Sequence, residues 1–259
     1  MKQKIKNMIK ANNKTTSTVY MILRILIIFC MIREIINGNI LNALLCILSL
    51  ILFLLPFLVE KKFKVDLPVT LEVMILIFIF SAEILGEINN FYGTVPYWDS
   101  ILHTLNGFLA ASFGFSLIYL LNENIESFNL SPLFVAIFAF CFSMTIGVVW
   151  EFFEYSMDKY LNFDMQKDAY VEKINTVILD PKNENNVVKV DEIEYTIIYD
   201  KNNNELVRLK GYLDIGLEDT IQDLWVNFIG AFIYSIFGYL YIINKDKYKI
   251  AEKFMTKKV

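Results

Sequence analysis

The sequence predicts an all-α polytopic membrane protein, a bundle of about six transmembrane helices with a small extracytoplasmic β-rich insert. Three observations favour this fold class. Apolar residues make up 56% of the 259 residues, and the mean hydropathy is +0.45 although 20% of the residues are charged. The apolar residues fall into runs of about 20, which is the length that crosses a bilayer as a helix. Helix also satisfies every backbone group in lipid, and no run shows the strict alternation of a barrel strand.

Six runs are predicted to span the membrane, and several have clear boundary signals. The runs are residues 20–37, 40–59, 67–88, 99–121, 131–157 and 219–243. Asn37-Gly38-Asn39 predicts a tight turn between the first two helices. Asp66-Leu67-Pro68 and Ser131-Pro132 each place a capping side chain just before a proline in the first helical turn. The first run is not expected to be a removable signal peptide, because Arg24 interrupts it and a second run follows at once.

The placement of lysine predicts the orientation. Lysines cluster in the head, in the connection after the second run and in the tail: Lys2, Lys4, Lys6, Lys10, Lys14, Lys61, Lys62, Lys64, Lys245, Lys247, Lys249, Lys253, Lys257 and Lys258. Six spans put these three segments on one side, which the positive-inside rule makes cytoplasmic. We therefore expect both termini to be cytoplasmic and the long connection 158–218 to lie outside.

Residues 160–215 separate the first five helices (1–159) from the last helix and its tail (216–259). The composition of this segment predicts β-strands. The β-branched and aromatic content predicts strands at 187–190, 193–199 and 205–209, with a hairpin loop at 201–204 and a further strand within 171–179. This insert could be a lid, a partner-binding surface or a tolerated insertion.

Polar residues within four of the runs recur three or four positions apart, which places them on single helical faces. The groups are Glu83, Glu87 and Asn90; Asp99, His103 and Asn106; Glu151, Glu154, Tyr155 and Asp158; and Asp219, Asp223 and Asn227. Ionisable residues are costly in hydrocarbon and usually face the interior of a bundle or a wet cavity. In the predicted topology His103, Glu151 and Asp223 sit about 6–10 Å inside the outer ends of their helices. We therefore expect one outward-opening cavity lined by His103, Glu151, Glu154 and Asp223, with Asp99, Asp219 and Asn227 at its edge.

Simpler roles are open for several of these residues. Asp99 and Asp219 could cap helix starts, where carboxylates favour the positive end of the dipole. Asp158 could be a solvated charge, and Glu83 and Glu87 could lie near the lipid head groups. The free cysteines Cys30, Cys46 and Cys141 fall within spans, where they are expected to be packing residues rather than a disulfide framework.

The excess of acidic groups points to a cation. His103 is the only histidine, and Arg33 is the only nearby intramembrane cation. Packed carboxylates must share protons, bind cations or both. One histidine excludes a three-histidine zinc site, and an oxygen-rich set suits Mg²⁺, Mn²⁺ or Ca²⁺. The predicted ligands are Asp99, His103, Glu151, Glu154, Asp219, Asp223 and Asn227.

Three segments together resemble an uncharacterised bacterial inner-membrane family, the YjdF-like proteins. They are Trp98-Asp99 with His103 and Gly107, then Trp150-Glu151 with Glu154 and Asp158, then Asp219-Thr220 with Asp223, Asn227, Gly230 and Ala231. The resemblance covers residues 95–158 and 214–243 and implies a multi-pass fold with these residues as its signature, without implying a reaction. The chain departs from the family in its long 160–215 segment. A looser likeness to VanZ-like membrane proteins rests on general architecture.

Three functions remain open at this point. An enzyme acting on a lipid or polyprenyl head group would use the metal on phosphate oxygens, His103 or Glu154 as general base and Arg33 on the phosphate. A proton- or cation-coupled transporter would use the acids as a relay or an ion site. A non-enzymatic accessory or sensor protein would use them to rigidify the bundle. The expected partners are membrane lipids and a lipid-linked substrate or a cation, and the sequence has no nucleic-acid-binding signature.

Overall fold

The computed structural model describes residues 2–124 and 130–258, with side chains for residues 16–122 and 130–256. The lysines of the head, and Lys257 and Lys258, therefore lie outside the described side chains. The chain is mostly helical and forms two compact units. The first unit contains residues 1–148 and 223–259, and the second contains residues 149–222.

Among the described residues, five helical stretches are long and apolar enough to cross a membrane. The helices are α1 (Lys2–Ile36), α2 (Ile40–Leu52), α3 (Leu55–Phe63), α4 (Val69–Ile79), α5 (Phe91–Thr94), α6 (Trp98–Asn124), α7 (Pro132–Leu161) and α8 (Leu217–Ile243). A π-helix (Phe80–Ile88) continues α4, and a 3₁₀ turn (Ala251–Lys253) follows α8. The candidate spans are Ile40–Phe63, Val69–Ile88, Trp98–Asn122, Pro132–Leu161 and Leu217–Ile243. The first predicted span lies within α1, which is not among the five, so the bundle of six stays a prediction.

The second and third spans are less regular than the sequence predicts. The second is interrupted at Phe53 and Leu54, and Pro56 lies in the first turn of α3, where its missing N–H removes no helical bond. The third changes from α- to π-helix at Phe80. Asn90 follows that helix with a φ of +54°, so it leaves the helical face expected for it with Glu83 and Glu87.

The strands form separate antiparallel pairs. In the first unit β1 (Val65–Asp66) pairs with β8 (Lys257–Lys258). In the second unit the pairs are β2 (Ala169–Val171) with β7 (Tyr212–Asp214), β3 (Ile174–Thr176) with β4 (Val188–Val190), and β5 (Tyr195–Tyr199) with β6 (Glu205–Lys210). Strands β4, β5 and β6 fall in the stretches where strand is expected, but the pairs are short and do not join into one sheet.

The apolar core of the first unit consists of distinct clusters. One joins α6, α7 and α8 around Phe115, Val135 and Tyr234, none of which is exposed. Another joins α1, α2 and α4 around Ile27, Cys46 and Leu76. Cys30 is buried in this second cluster, whereas Cys141 is exposed. The helices that carry the predicted site therefore have a packed core of their own.

The segment after α8 folds back into the first unit rather than forming a solvated tail. Ala251, Met255 and Thr256 are buried. The Thr256 backbone N–H donates to Ser116 Oγ at 3.0 Å, and the Tyr234 hydroxyl lies 3.5 Å from the Ala251 carbonyl oxygen. The β1–β8 pairing also brings the C-terminal segment against the connection that follows α3. These two lysine-bearing segments thus meet in the first unit, and their cytoplasmic placement stays a prediction.

Candidate metal centre

Helices α6 and α8 bury polar side chains at successive turns. His103 on α6 is 7% exposed, and Asp223 and Asn227 on α8 are 1% and 0% exposed. A helix places residues four apart on one face, so Asp223 and Asn227 point to the same side of α8. Mid-helix backbone N–H groups are already bonded within the helix, so these side chains must be satisfied by other side chains or by a ligand.

His103 faces two carboxylates through the same nitrogen. Its Nε2 lies 3.6 Å from Asp99 Oδ1, one turn earlier on α6, and 3.6 Å from Asp223 Oδ2. Both distances exceed the usual 2.7–3.2 Å of a direct N–H···O hydrogen bond. Two ligand atoms that lie about 2.1–2.4 Å from one cation, at right angles, are about 3.0–3.4 Å apart. The spacing around His103 is therefore close to that of atoms that share a cation.

Asn227 on α8 contacts side chains of both α6 and α7. It accepts a hydrogen bond from Asn106 Nδ2 on α6 at 3.2 Å, and its own Nδ2 lies 3.6 Å from Met144 Sδ on α7. Ser143 Oγ on α7 donates to the Gly107 carbonyl oxygen at 2.7 Å. The Asn227 amide is thus fixed in orientation at the base of the site.

Glycines allow this close approach. A Cβ at Gly107 would lie 2.1 Å from the Asn227 carbonyl oxygen, and one at Gly230 would lie 1.9 Å from the Thr104 carbonyl oxygen. Helices α6 and α8 are therefore in backbone contact at Gly107 and Gly230. On α7, a Cβ at Gly147 would lie 2.7 Å from Asn227 Nδ2. A larger residue at Gly107 or Gly230 would have to move a helix, because the obstacle there is backbone, whereas one at Gly147 would have to displace the Asn227 side chain.

In the second unit, two buried glutamates occupy the outer part of α7. Glu151 and Glu154 are 5% and 7% exposed. The Trp150 indole Nε1 donates to Glu154 Oε1 at 2.9 Å. Because an indole only donates, it fixes the direction of this carboxylate without competing for a cation.

Two aspartates at helix ends in the second unit hold the loop that follows α7. Asp158 accepts hydrogen bonds from the backbone N–H groups of Met165 at 2.6 Å and Gln166 at 2.8 Å. Asp219, in the first turn of α8, accepts a hydrogen bond from the Lys167 backbone N–H at 2.7 Å. Asp158 is therefore a loop-organising residue rather than a solvated charge. The contact of Asp219 differs from the simple capping role considered for it.

Each unit carries buried or half-buried side chains of the types that could hold a metal ion. Among the described residues these are Asp99, His103 and Asp223 in the first unit, and Glu151, Glu154 and Asp219 in the second. Of these, His103, Asp223, Glu151 and Glu154 are buried. The donors are carboxylate oxygens and one imidazole nitrogen, which is the hard, oxygen-rich set that Mg²⁺, Mn²⁺ and Ca²⁺ prefer.

Arg33 is engaged by other residues of the first unit. Its Nε donates to Glu34 Oε1 at 2.7 Å, and its Nη1 donates to Asn89 Oδ1 at 3.1 Å. Glu34 is buried and also accepts from Asn39 and Asn42. Arg33 thus links the α1–α2 turn to the end of the π-helix. These hydrogen bonds engage the guanidinium that was predicted to contact phosphate.

The sequence analysis assigned no role in the site to two residues of α7. Trp150 entered it only as part of the family resemblance, and its position four residues before Glu154 is what indicates the hydrogen bond. Ser143 has no signal in the sequence beyond being a small polar residue in an apolar span. Both act on a neighbouring group rather than through their own chemistry.

Comparisons with known proteins agree with the membrane character of the chain. The family described as predicted membrane protein (DUF2238) matches residues 17–244. An uncharacterized protein of Thermotoga maritima is 28% identical over 113 residues, which cover 43% of this chain and 57% of that protein. The chain thus matches little more than half the length of this relative. No solved structure matches.

Proposed function

This chain belongs to the DUF2238 family of predicted membrane proteins, and we propose that it is a metal-dependent enzyme acting on a lipid or polyprenyl head group. The observation that carries the proposal is the buried His103 Nε2, 3.6 Å from a carboxylate oxygen of Asp99 and of Asp223. The proposal includes the predicted placement, with both termini cytoplasmic and the site in the outer half of a bacterial inner membrane.

Helical register supports adding the glutamates of α7 to this site. In the first unit, Gly147 on α7 packs on Asn227 of α8. Glu151 follows Gly147 by one turn on the same face of a helix that is continuous from Pro132 to Leu161. Asp223 precedes Asn227 by one turn on α8. Glu151 and Asp223 are thus each one turn from the Gly147–Asn227 contact along their own helices.

The proposed ligands of a single divalent cation are His103, Asp223, Glu151 and Asp99. Asp219 and Asn227 act at the edge, where Asp219 holds the loop through the Lys167 N–H and Asn227 fixes the base of the site. Three carboxylates leave net negative charge, which a divalent cation balances better than one imidazolium does. Mg²⁺ or Mn²⁺ fits a phosphate substrate best, because these ions keep positions for water and phosphate oxygens.

The catalytic roles follow from the geometry of each donor. A cation held by these residues would supply polarisation of a phosphoryl oxygen and would lower the pKa of a water molecule. Glu154 is the proposed general base, since Trp150 fixes its direction and it lies one turn beyond Glu151. His103 is better suited to the cation than to proton transfer, because its Nε2 is already aimed at the shared position between Asp99 and Asp223. Arg33 has no role in this scheme, since Glu34 and Asn89 engage it.

Other functions fit the structure less well. A transporter needs a path through the inner half of the bundle. In the proposed orientation the C-terminal segment lies there and would block such a path, because its Ala251, Met255 and Thr256 are buried in the first unit. An accessory protein needs no group of cation ligands, and apolar residues would rigidify helices more cheaply than buried carboxylates. The insert at 160–215 keeps its three possible roles.

Metal analysis of the purified protein tests the proposal. Wild-type protein in detergent, loaded with Mn²⁺ and desalted, is expected to retain about one ion per chain, as a four-ligand buried site does. Asp223→Asn removes one anionic ligand and should lower Mn²⁺ affinity by about 10–100-fold or more. Asp246→Asn, which changes an exposed acid in the segment after α8, is the matched control and should bind as the wild type does.

Activity is measured on the same preparations. In proteoliposomes that contain a polyprenyl pyrophosphate, wild-type protein should release phosphate in a Mg²⁺- or Mn²⁺-dependent manner, and Asp223→Asn and Glu154→Gln should not. Glu154→Gln should still bind Mn²⁺, which separates the base from the ligands. Equal metal retention by wild type and Asp223→Asn would overturn the proposed centre.

A further inference from the structure

An apolar groove runs along α6 beside the candidate metal centre. It has a volume of about 480 Å³, within the 300–1,000 Å³ range of ligand pockets. Its walls come from α4, α6, α8 and the C-terminal segment, and include Met74, Leu105, Ile233 and Phe254. All of these residues belong to the first unit.

The groove and the polar site share α6. Ser100, Ile101, Thr104, Leu105 and Phe108 line the groove, and their spacing places them along one face of the helix. Asp99 and His103 immediately precede Ser100 and Thr104, so their face is turned by about 100° from the groove face. One end of the groove therefore lies at the level of the acids and the histidine.

The other end of the groove is closed by aromatic rings. Phe254 packs edge-on against Phe108 with ring centroids 5.0 Å apart, and Tyr234 packs edge-on against Phe108 at the same distance. The distance along α6 from Ser100 to Phe108 is about 12 Å, at 1.5 Å per residue. The base is formed where Gly230 meets the Thr104 carbonyl oxygen, so no side chain of α8 fills it there.

We propose that this groove holds one hydrocarbon chain of the lipid whose head group binds at His103, Asp99 and Asp223. The inference rests on the proposed function for its head-group end only. A hydrocarbon chain matches the chemistry of the groove, because its lining is apolar and most of its walls come from candidate membrane-spanning helices. The occupant is an amphiphile, polar at the acids of α6 and α8 and apolar from Ile101 to Phe254.

Such a groove contributes to the choice of lipid chain more than to the binding affinity. A lipid chain gains little by leaving other lipid chains for a protein wall of the same polarity. The metal centre must therefore provide most of the binding free energy, while the groove fixes the direction and length of the chain. Phe254 limits that length, so Phe254→Ala should shift the preference toward longer chains.

Photolabelling in nanodiscs tests the groove. The probe is phosphatidylglycerol with a diazirine midway along one acyl chain, and the readout is labelling of the α6 peptide that contains Ile101 and Leu105. The reference is labelling of the lipid-facing α7 peptide that contains Leu133 and Ile137, both exposed. The α6 peptide is expected to be labelled in excess of this reference.

The matched variants lie on α8. Ile233 lines the groove and Ile236 does not, yet each is 40% exposed. Ile233→Trp fills the groove and should lower α6 labelling by about tenfold through steric exclusion, whereas Ile236→Trp should leave it unchanged. Equal labelling in both variants would show that α6 contacts only bulk lipid, and the inference would fall.

Metal binding separates this failure from failure of the proposed function. Ile233→Trp should retain Mn²⁺ as the wild type does, because the substitution lies outside the ligand set. If wild type binds no Mn²⁺ but Ile233→Trp still lowers labelling, the groove stands as a lipid site and the metal centre falls. If Mn²⁺ binds normally and labelling ignores Ile233→Trp, the metal centre stands and the groove inference falls.

Discussion

Aspartates in the two units are satisfied in opposite ways. In the second unit, Asp180 accepts hydrogen bonds from the backbone N–H groups of Lys182, Glu184 and Asn186, and Asp200 accepts them from those of Asn202 and Asn204. In the first unit, Asp223 faces the His103 imidazole at 3.6 Å. The same side chain thus organises a loop in one place and contributes to a polar cluster in the other.

The difference follows from where free backbone donors exist. Turns leave N–H groups unpaired, and a short carboxylate can collect several of them. The interior of a helix leaves none, because each N–H is bonded to the carbonyl four residues earlier. A carboxylate buried in a span must therefore be met by another side chain or by a cation. That contrast separates structural acids from candidate functional acids within one chain.

Gly230→Ala should break the helical side of the comparison with the largest effect. The new Cβ would lie 1.9 Å from the Thr104 carbonyl oxygen, so α8 must move away from α6, and His103 must separate from Asp223. Overpacking of this kind costs about 3 kcal/mol or more when the obstacle is backbone. Thermal melting in detergent should fall sharply, with loss of Mn²⁺ binding.

Gly38→Ala is the control for that substitution. Nothing lies within 4 Å of its Cβ position, but its φ is +78°. The expected cost is therefore about 1 kcal/mol from backbone strain alone, with normal Mn²⁺ binding. Equal melting temperatures for Gly230→Ala and wild type would show that the α6–α8 contact is not tight.

Sequence reasoning could select the acids of the proposed site because helical periodicity and charge are local properties. His103 and Asp223 each lie a similar number of residues from the N-terminal end of their own helix. Periodicity could not show that Arg33 is engaged by Glu34, because adjacent residues on a helix do not normally face each other. It also could not show that Met255 and Thr256 return into the helices, since a lysine-rich tail reads as solvated. The sequence also did not predict the π-helix at 80–88, after which Asn90 no longer shares a helical face with Glu83 and Glu87.

Asp180→Asn should sharpen the other side of the comparison with an intermediate effect. Backbone N–H groups of Asn186 and Lys182 hold the pKa of Asp180 below its usual value. A lowered folded-state pKa adds stability above the unfolded pKa, and this stability is lost as the pH falls through the folded value. The amide substitution should speed hydrogen exchange at residues 182–186 at pH 7 and leave α6 and α8 unchanged.

The pH dependence checks that the charge of Asp180 is responsible. The stability difference between wild type and Asp180→Asn should be constant near neutrality and shrink below about pH 3.9, the ordinary aspartate pKa. Asp191→Asn is the control, because Asp191 is exposed and forms an ion pair with the exposed Lys173 at 3.0 Å. Exposed ion pairs of this kind contribute little to stability. A pH-independent difference would assign the effect to shape rather than charge.

Asp168→Asn should have the smallest effect and the opposite sign. Asp168 precedes β2, and desolvation raises its pKa, with further repulsion from Asp164, Asp214 and Asp158. A raised folded-state pKa means that the ionised side chain weakens the folded state once the pH exceeds the unfolded pKa. Removing the charge should therefore slow hydrogen exchange in the β2–β7 pair at pH 7, by a small factor because the side chain is exposed and screened. Below about pH 3.9 the side chain is protonated in both states, and the variant and wild type should exchange alike. Faster exchange at pH 7 would mean that Asp168, like Asp180, stabilises its loop, and the sign assigned to its surroundings would be wrong.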